Sequence, residues 1–216
     1  LALFAARLDA PRDAGPPVGG ALLRWSDFSE PLRDILRNPV LRRRGLMAVA
    51  YAASQTAVTA YLVSFLNLEV GLSLVAAGSV FAFSQVGGVA GRILLGIAAD
   101  LWMKPRLQLG LAGVATALCS SAMIAITPQW PFAAIAALCA LLGVISFAWN
   151  GVFFAETAAI APAGQIGRLT GGMQVFISLG GVSGPALFSL IVSLSGSYSL
   201  AYVLLAIPTL LVGILF

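Results

Sequence analysis

The sequence has 216 residues, of which 60% are hydrophobic and only 9% charged, with a formal net charge of +4. Soluble domains are about 25% charged, so this composition excludes a soluble enzyme, a disordered tail and a nucleic-acid-binding protein. The chain has no histidine, which removes Ser-His and Cys-His catalytic pairs and histidine-ligated metal sites. We therefore predict an integral membrane protein that is not an enzyme and needs no cofactor.

The first part of the chain is predicted to connect two membrane regions. Residues 1–6 read as the end of a preceding transmembrane helix, and the Pro- and Gly-rich residues 9–20 as an unstructured linker. A short helix is predicted to begin near Ser29 and to end at Asn38–Pro39; its apolar stripe consists of Leu32, Ile35 and Leu36. Residues 7–44 are thus predicted to be a cytoplasmic central loop whose amphipathic helix lies at the membrane surface.

Residues 45–216 are predicted to form a transmembrane domain of six helices. A helix needs about 20 apolar residues to cross a bilayer, and long uncharged stretches of this length recur through the domain. Two stretches are too long for one helix, and turn sequences divide them at Pro128–Pro131 and at Gly196–Ser197. The predicted spans are residues 45–67, 74–97, 107–127, 131–154, 169–194 and 198–216.

The distribution of basic residues predicts the orientation of these spans. Every Lys and Arg except Arg92 falls in residues 7–44, 98–106 or 155–168, which lie on one side of the membrane. Glu69 is the one charged residue on the other side. By the positive-inside rule, the central loop is predicted to be cytoplasmic in a multi-pass protein of the cell (inner) membrane.

The loop between the second and third spans carries a recognisable pattern. Gly96 is followed after three residues by Asp100 and then by Lys104 and Arg106, and Gly91-Arg92 precedes it. This resembles the cytoplasmic loop signature of the major facilitator superfamily, although Leu101 and Met103–Pro105 depart from it. The resemblance implies an all-α membrane fold, with six transmembrane helices as one half of a twelve-helix bundle built from inverted three-helix repeats. It also implies an N-terminal six-helix half as a partner.

The resemblance also suggests a gating group at the cytoplasmic side. Gly96 is expected to let two helices approach closely, and Asp100 to cap or pair with a neighbouring helix N-terminus. Charged residues that flank the loop between the fourth and fifth spans are expected to join them. The full group is Gly96, Asp100, Lys104, Arg106, Glu156 and Arg168.

The fifth span has a second pattern, formed by Gly171, Gly180 and Gly184–Pro185. It resembles the glycine-proline pattern in the fifth helix of facilitator antiporters, although here it falls on the symmetry-related helix of the other half. One interpretation is antiport. The preferred interpretation is close helix packing through Gly180 and Gly184, with a bend at the proline.

Polar side chains inside a membrane must face a cavity or another helix, and here they recur on the first, second, fourth and fifth spans. The third and sixth spans lack such stripes and are predicted to face lipid, as in facilitators. Each candidate has a structural alternative, such as bonding to its own helix. For Arg92 the alternatives are attraction of an anionic substrate and snorkelling toward the loop motif. The substrate-pathway candidates are Tyr51, Gln55, Thr59, Gln85, Arg92, Asn150, Gln174 and Ser178.

The predicted function is secondary transport of a small solute by alternating access, as a symporter or uniporter. An organic or inorganic anion is the predicted substrate class, by similarity to cyanate-permease-like facilitators. No carboxylate lies at mid-membrane, so a coupling proton is expected to be handled by the N-terminal half. The alternative is a non-transporting receptor or scaffold on the same fold.

Overall fold

The computed structural model describes residues 25–101, 104–162 and 164–215. The predicted helix end at residues 1–6 and the linker at residues 9–20 lie outside this part of the chain. In the described part, seven α-helices and one short 3-10 helix, Met123–Ala125, account for all regular structure. The α-helices are α1 (Trp25–Arg37), α2 (Pro39–Leu68), α3 (Leu74–Leu101), α4 (Pro105–Ala122), α5 (Phe132–Ile160), α6 (Ile166–Ser195) and α7 (Tyr198–Leu215).

Six of these helices, α2 to α7, are long and apolar enough to cross a membrane, which confirms the predicted number. The ends of some helices differ from the predicted ones, and at α2 the reason is a capping residue. The Asn38 side chain accepts the backbone N–H of Val40 at 2.9 Å and so caps α2, and Pro39 fits the first helical position because it has no N–H to satisfy. α2 therefore begins before residue 45 and includes Arg42–Arg44. α1 likewise begins at Trp25, earlier than the predicted start at Ser29.

The two predicted turns inside the long uncharged stretches are confirmed. α5 begins at Phe132, directly after the Pro128–Pro131 turn. Gly196 follows α6 with a φ angle of 72°, a left-handed conformation that glycine adopts without the steric penalty of a Cβ atom. These turns allow α4 and α5, and likewise α6 and α7, to run in opposite directions.

The packing of the spans has an internal symmetry. The most extensive interface joins α3 to α5, followed by α2 to α6 and α4 to α7. Exchanging α2–α4 with α5–α7 converts the α3–α5 pair into the α6–α2 pair and leaves the α4–α7 pair unchanged. Because each repeat has three helices, the second repeat begins on the opposite side of the membrane from the first. The predicted arrangement of two inverted three-helix repeats is confirmed.

Glycines allow the closest contacts in the α3–α5 interface. A Cβ atom at Gly87 would lie 2.6 Å from the Ala140 carbonyl oxygen, and one at Gly91 would overlap the Val144 carbonyl oxygen. From the other side, Gly143 lies directly against the Ser84 backbone. The two backbones therefore touch along this interface, which maximises van der Waals contact where apolar lipid gives no hydrophobic driving force.

In the symmetry-related α2–α6 interface, glycines again allow the two backbones to approach closely. A Cβ atom at Gly180 would overlap the Val49 carbonyl oxygen, and one at Gly184 would overlap that of Ala53. The preferred interpretation of the fifth-span glycines as packing residues is thus confirmed for this pair. Gly171 differs, because a Cβ atom there meets no atom of the described chain within 4 Å.

Glu69, between α2 and α3, connects two helices by hydrogen bonds at the end of the bundle opposite α1. Its carboxylate accepts the backbone N–H of Tyr198 at 2.6 Å and that of Ser199 at 3.2 Å, and it also accepts the Ser199 hydroxyl. These N–H groups belong to the first turn of α7, where backbone N–H groups have no acceptor within the helix. A negative charge is also favoured there by the helix dipole, so Glu69 attaches the end of α2 to the start of α7.

Candidate substrate pathway and gating contacts

The polar centre of the bundle is a contact between α2 and α5. Gln55 Oε1 accepts one hydrogen bond from Trp149 Nε1 and one from Asn150 Nδ2, each at 3.0 Å. The indole N–H can only donate, so the atom of Gln55 that faces it must be the carbonyl oxygen. Trp149 therefore fixes the orientation of the Gln55 amide and turns its NH2 group away from α5.

Trp149 is itself held rigidly. The residue is 2% exposed, and its ring makes edge-to-face contacts with Tyr51 and Phe153, each with ring centroids 5.5 Å apart. The Tyr51 hydroxyl donates to the Leu109 carbonyl oxygen of α4 at 2.8 Å. Tyr51 thus supports Trp149 from the α4 side, and its hydroxyl is bonded to α4 and not to Gln55.

The three residues of the predicted polar stripe, Tyr51, Gln55 and Thr59, have different bonding partners in the structure. Four residues advance an α-helix by roughly 40° beyond one full turn, so the first and third members diverge by roughly 80°. Thr59 is exposed, and its hydroxyl donates to the Gln55 carbonyl oxygen at 3.0 Å, which is the structural alternative considered for it. Gln55 is the only one of the three that bonds to α5.

Arg92 approaches the same centre from α3. Its Nε donates to the Phe147 carbonyl oxygen at 3.4 Å, and its guanidinium carbon lies 5.6 Å from the Phe147 ring centroid, within the range of a cation–π contact. Asn150 Nδ2 lies 3.5 Å from the same carbonyl oxygen. One backbone oxygen therefore places the Arg92 side chain next to the Gln55–Asn150 pair. Within the described residues, Arg92 has no ion-pair partner.

The remaining pathway candidates form no hydrogen bond with this centre among the described residues. Gln85 is half-buried, and its Nε2 atom has no hydrogen-bond partner among the described residues. Gln174 and Ser178 are exposed on α6, where they line an open cleft of about 640 Å³ beside α1. The structure thus brings together Gln55, Asn150 and Arg92, and leaves Gln174 and Ser178 exposed on α6, where their place in the pathway stays a prediction.

A buried ion pair joins the helices at the basic end, the end of the bundle that carries α1 and the α3–α4 loop. Glu156 Oε1 accepts from Arg44 Nη2 at 2.9 Å and lies 3.8 Å from Arg106 Nε. The side chains of Arg44 and Glu156 are 5% and 13% exposed. Because these residues lie on α2, α5 and α4, one carboxylate links three helices.

Arg44 is absent from the predicted gating group, although its contact with Glu156 is shorter than that of the predicted member Arg106. The sequence does carry a signal for it, because Arg44 shares a helix face with Ala48, Tyr51 and Gln55 by its spacing. The first two of these are buried. An arginine on the buried face of a span needs a partner, and Glu156 provides it.

Other members of the predicted gating group are placed differently from expectation. Arg168 contacts Asp34 at 2.9 Å and Glu30 at 3.2 Å, both on α1, and so belongs to an exposed cluster separate from Glu156. A Cβ atom at Gly96 meets no described residue within 4 Å, so no close approach between described helices occurs there. In α3 that role belongs to Gly87 and Gly91.

The last two gating candidates flank the α3–α4 loop. Lys104 is exposed and precedes α4 without a side-chain capping bond. Asp100 lies within α3, but its side chain is outside the described part of the structure, so its predicted capping role stays a prediction.

Comparison with known proteins identifies one relationship. The sequence model of the Major Facilitator Superfamily matches residues 1–171, which is most of the chain and includes α1 to α5. No curated protein matches the sequence.

Proposed function

The chain belongs to the major facilitator superfamily, a family of membrane transporters, and from this premise we propose that it carries a small anion by alternating access. The observation that supports this is the Gln55–Trp149–Asn150 contact with Arg92 beside it. Gln55 lies near the middle of α2, which spans Pro39–Leu68. A hydrogen-bonding group at this depth is costly unless it faces a partner or a cavity.

The chemistry of the exposed donors favours an anion. The Gln55 NH2 group makes no hydrogen bond to a described residue, and the same holds for the two terminal nitrogens of Arg92. Both groups donate only, and Arg92 adds a positive charge. A small organic or inorganic anion rich in acceptors, of the kind carried by cyanate-permease-like facilitators, would satisfy them.

Alternating access needs a second body against which this bundle moves. We propose a second six-helix unit that completes the site from the side to which the Gln55 amide is turned. The basic end would face the cytoplasm, in accord with the positive-inside rule, and the Arg44–Glu156–Arg106 contacts would hold that end together during the movement. A coupling proton, if used, would be bound by the second unit.

Gln55→Ala is expected to raise the half-saturation concentration for uptake roughly tenfold or more, because it removes one hydrogen bond to a charged solute. Uptake is measured in proteoliposomes with and without a pH gradient, at matched protein content. Gln129→Ala, in the exposed turn before α5, is the control and should leave uptake unchanged. Unaltered kinetics for Gln55→Ala would remove this residue from the pathway.

Arg92→Lys tests the charge of the solute. If Arg92 contacts the anion, Arg92→Lys should fold normally and still weaken uptake severalfold, because an ammonium cannot reproduce the forked donors of a guanidinium. Arg92→Gln should weaken it further. A loss of membrane abundance without a change in uptake per molecule would instead assign Arg92 a structural role. Specific solute binding without any uptake by the unmodified protein would favour the receptor alternative.

A further inference from the structure

An arginine-lined crevice lies at the basic end, outside the Gln55 centre. It has a volume of about 190 Å³ and is lined by Val40, Arg43, Arg44, Arg106 and Leu215. Three guanidinium groups from α2 and α4 therefore share one small space. The nearby Glu156 carboxylate pairs with two of them, so the local charge of these four side chains is positive.

One of these arginines is buried with an unused donor. The Arg44 side chain is 5% exposed and bonds to Glu156 through Nη2. Its Nε atom is buried and has no hydrogen-bond partner among the described residues. A buried N–H group without an acceptor is unfavourable, so Arg44, which lines the crevice, has hydrogen-bonding capacity that the described residues leave unused.

The crevice continues into an apolar groove between α2 and α7. A second hollow, of about 240 Å³, is lined by Arg43, Leu46, Val212 and Leu215. Arg43 and Leu215 are common to both spaces. Leu46 lies roughly 4.5 Å further along α2 than Arg43, toward the middle of the membrane, and the residue is 58% exposed. A positive crevice at the helix ends thus opens onto an apolar surface that runs into the bilayer.

We propose that this crevice binds the phosphate of an anionic phospholipid, whose acyl chain lies in the groove beside Leu46 and Val212. Guanidinium groups match phosphate oxygens in geometry and charge, and basic pockets between transmembrane helices suit lipid headgroups. A free phosphate ion has the same headgroup chemistry but would leave the apolar groove unused. A lipid bound here would bridge α2 and α4 of the first repeat and α7 of the second.

The proposal is tested on the full-length transporter in neutral detergent, with phosphatidylglycerol added and phosphatidylcholine of the same acyl chains as the comparison. Native mass spectrometry and the thermal midpoint are the measurements. We expect phosphatidylglycerol to bind preferentially and to raise the midpoint. Arg43→Gln is expected to weaken its binding roughly five- to tenfold, and Arg106→Gln serves as a second variant should Arg43→Gln fold poorly.

Arg42→Gln is the matched control, because Arg42 is exposed and adjacent in sequence but does not line the crevice. It should bind phosphatidylglycerol like the unmodified protein. Equal losses in Arg42→Gln and Arg43→Gln would show a diffuse attraction to the basic surface and overturn the proposal. The same midpoint shift with sodium phosphate at equal concentration would overturn the lipid assignment in favour of a free ion.

Discussion

Glu156→Ala is expected to lower the free energy of unfolding by about 3–5 kcal/mol. The substitution leaves the Arg44 guanidinium, whose side chain is 5% exposed, without its carboxylate in a place that water barely reaches. An unpaired buried charge is far more costly than the loss of an exposed one. The measurement is reversible unfolding in detergent, followed by helix content.

The matched control for this prediction is Glu30→Ala. Glu30 also pairs with an arginine, Arg168, at 3.2 Å, but its side chain is 62% exposed, and exposed ion pairs contribute about 0–1 kcal/mol. Replacing Arg44 and Glu156 together by Met should recover much of the loss, since no uncompensated charge remains. Similar small effects at Glu30 and Glu156 would show that the pair at the basic end does not stabilise the bundle.

Gly91→Ala is expected to destabilise the bundle by about 2–3 kcal/mol. The added methyl group would overlap the Val144 carbonyl oxygen, which belongs to a helix backbone and cannot rotate away as a side chain could. α3 and α5 would have to separate, and their van der Waals contacts would weaken along the interface that is the most extensive in the bundle. The thermal midpoint and the yield of folded protein from membranes report this loss.

Gly78→Ala provides the comparison within the same helix. A methyl group at Gly78 meets none of the residues that the structure describes within 4 Å, so alanine there should be neutral or stabilise α3 by up to about 1 kcal/mol through its higher helix propensity. Opposite signs at Gly78 and Gly91 are the expected result. Equal midpoints for the two variants would contradict the role assigned to close backbone contact.

The number and order of the helices could be predicted because the signals are local. Uncharged stretches of sufficient length define spans, and the Pro128–Pro131 and Gly196–Ser197 turns are encoded by residues with restricted or unusual backbone freedom. The start of α2 was harder to predict, because Asn38 both follows α1 and caps α2. Its side chain fits either the end of one helix or the beginning of the next, and the hydrogen bonds from Val40 and Leu41 distinguish the two.

The sequence indicates which residues belong to the candidate site, but it does not indicate which of them contact each other. Gln55 and Asn150 stand out as amides in apolar helices, yet their contact depends on how α2 and α5 align, which no local pattern specifies. Arg44 illustrates the same limit, since it follows two arginines that are exposed at the helix end. Only the rotation of α2 against α5 turns the third one inward, so a residue that resembles an interfacial anchor becomes the partner of Glu156.

The Glu69 cap has a mechanical consequence when it is taken together with the ion pair at the other end of α2. Glu69 fastens the C-terminal end of α2 to α7, and Arg44 fastens its N-terminal region to α5. With both ends attached to neighbouring helices, α2 cannot tilt independently of them. We therefore expect α2 to move together with α5 and α7 as a rigid body. The hydrogen bond between the Gln55 carboxamide and Trp149 should then persist while the whole body rotates.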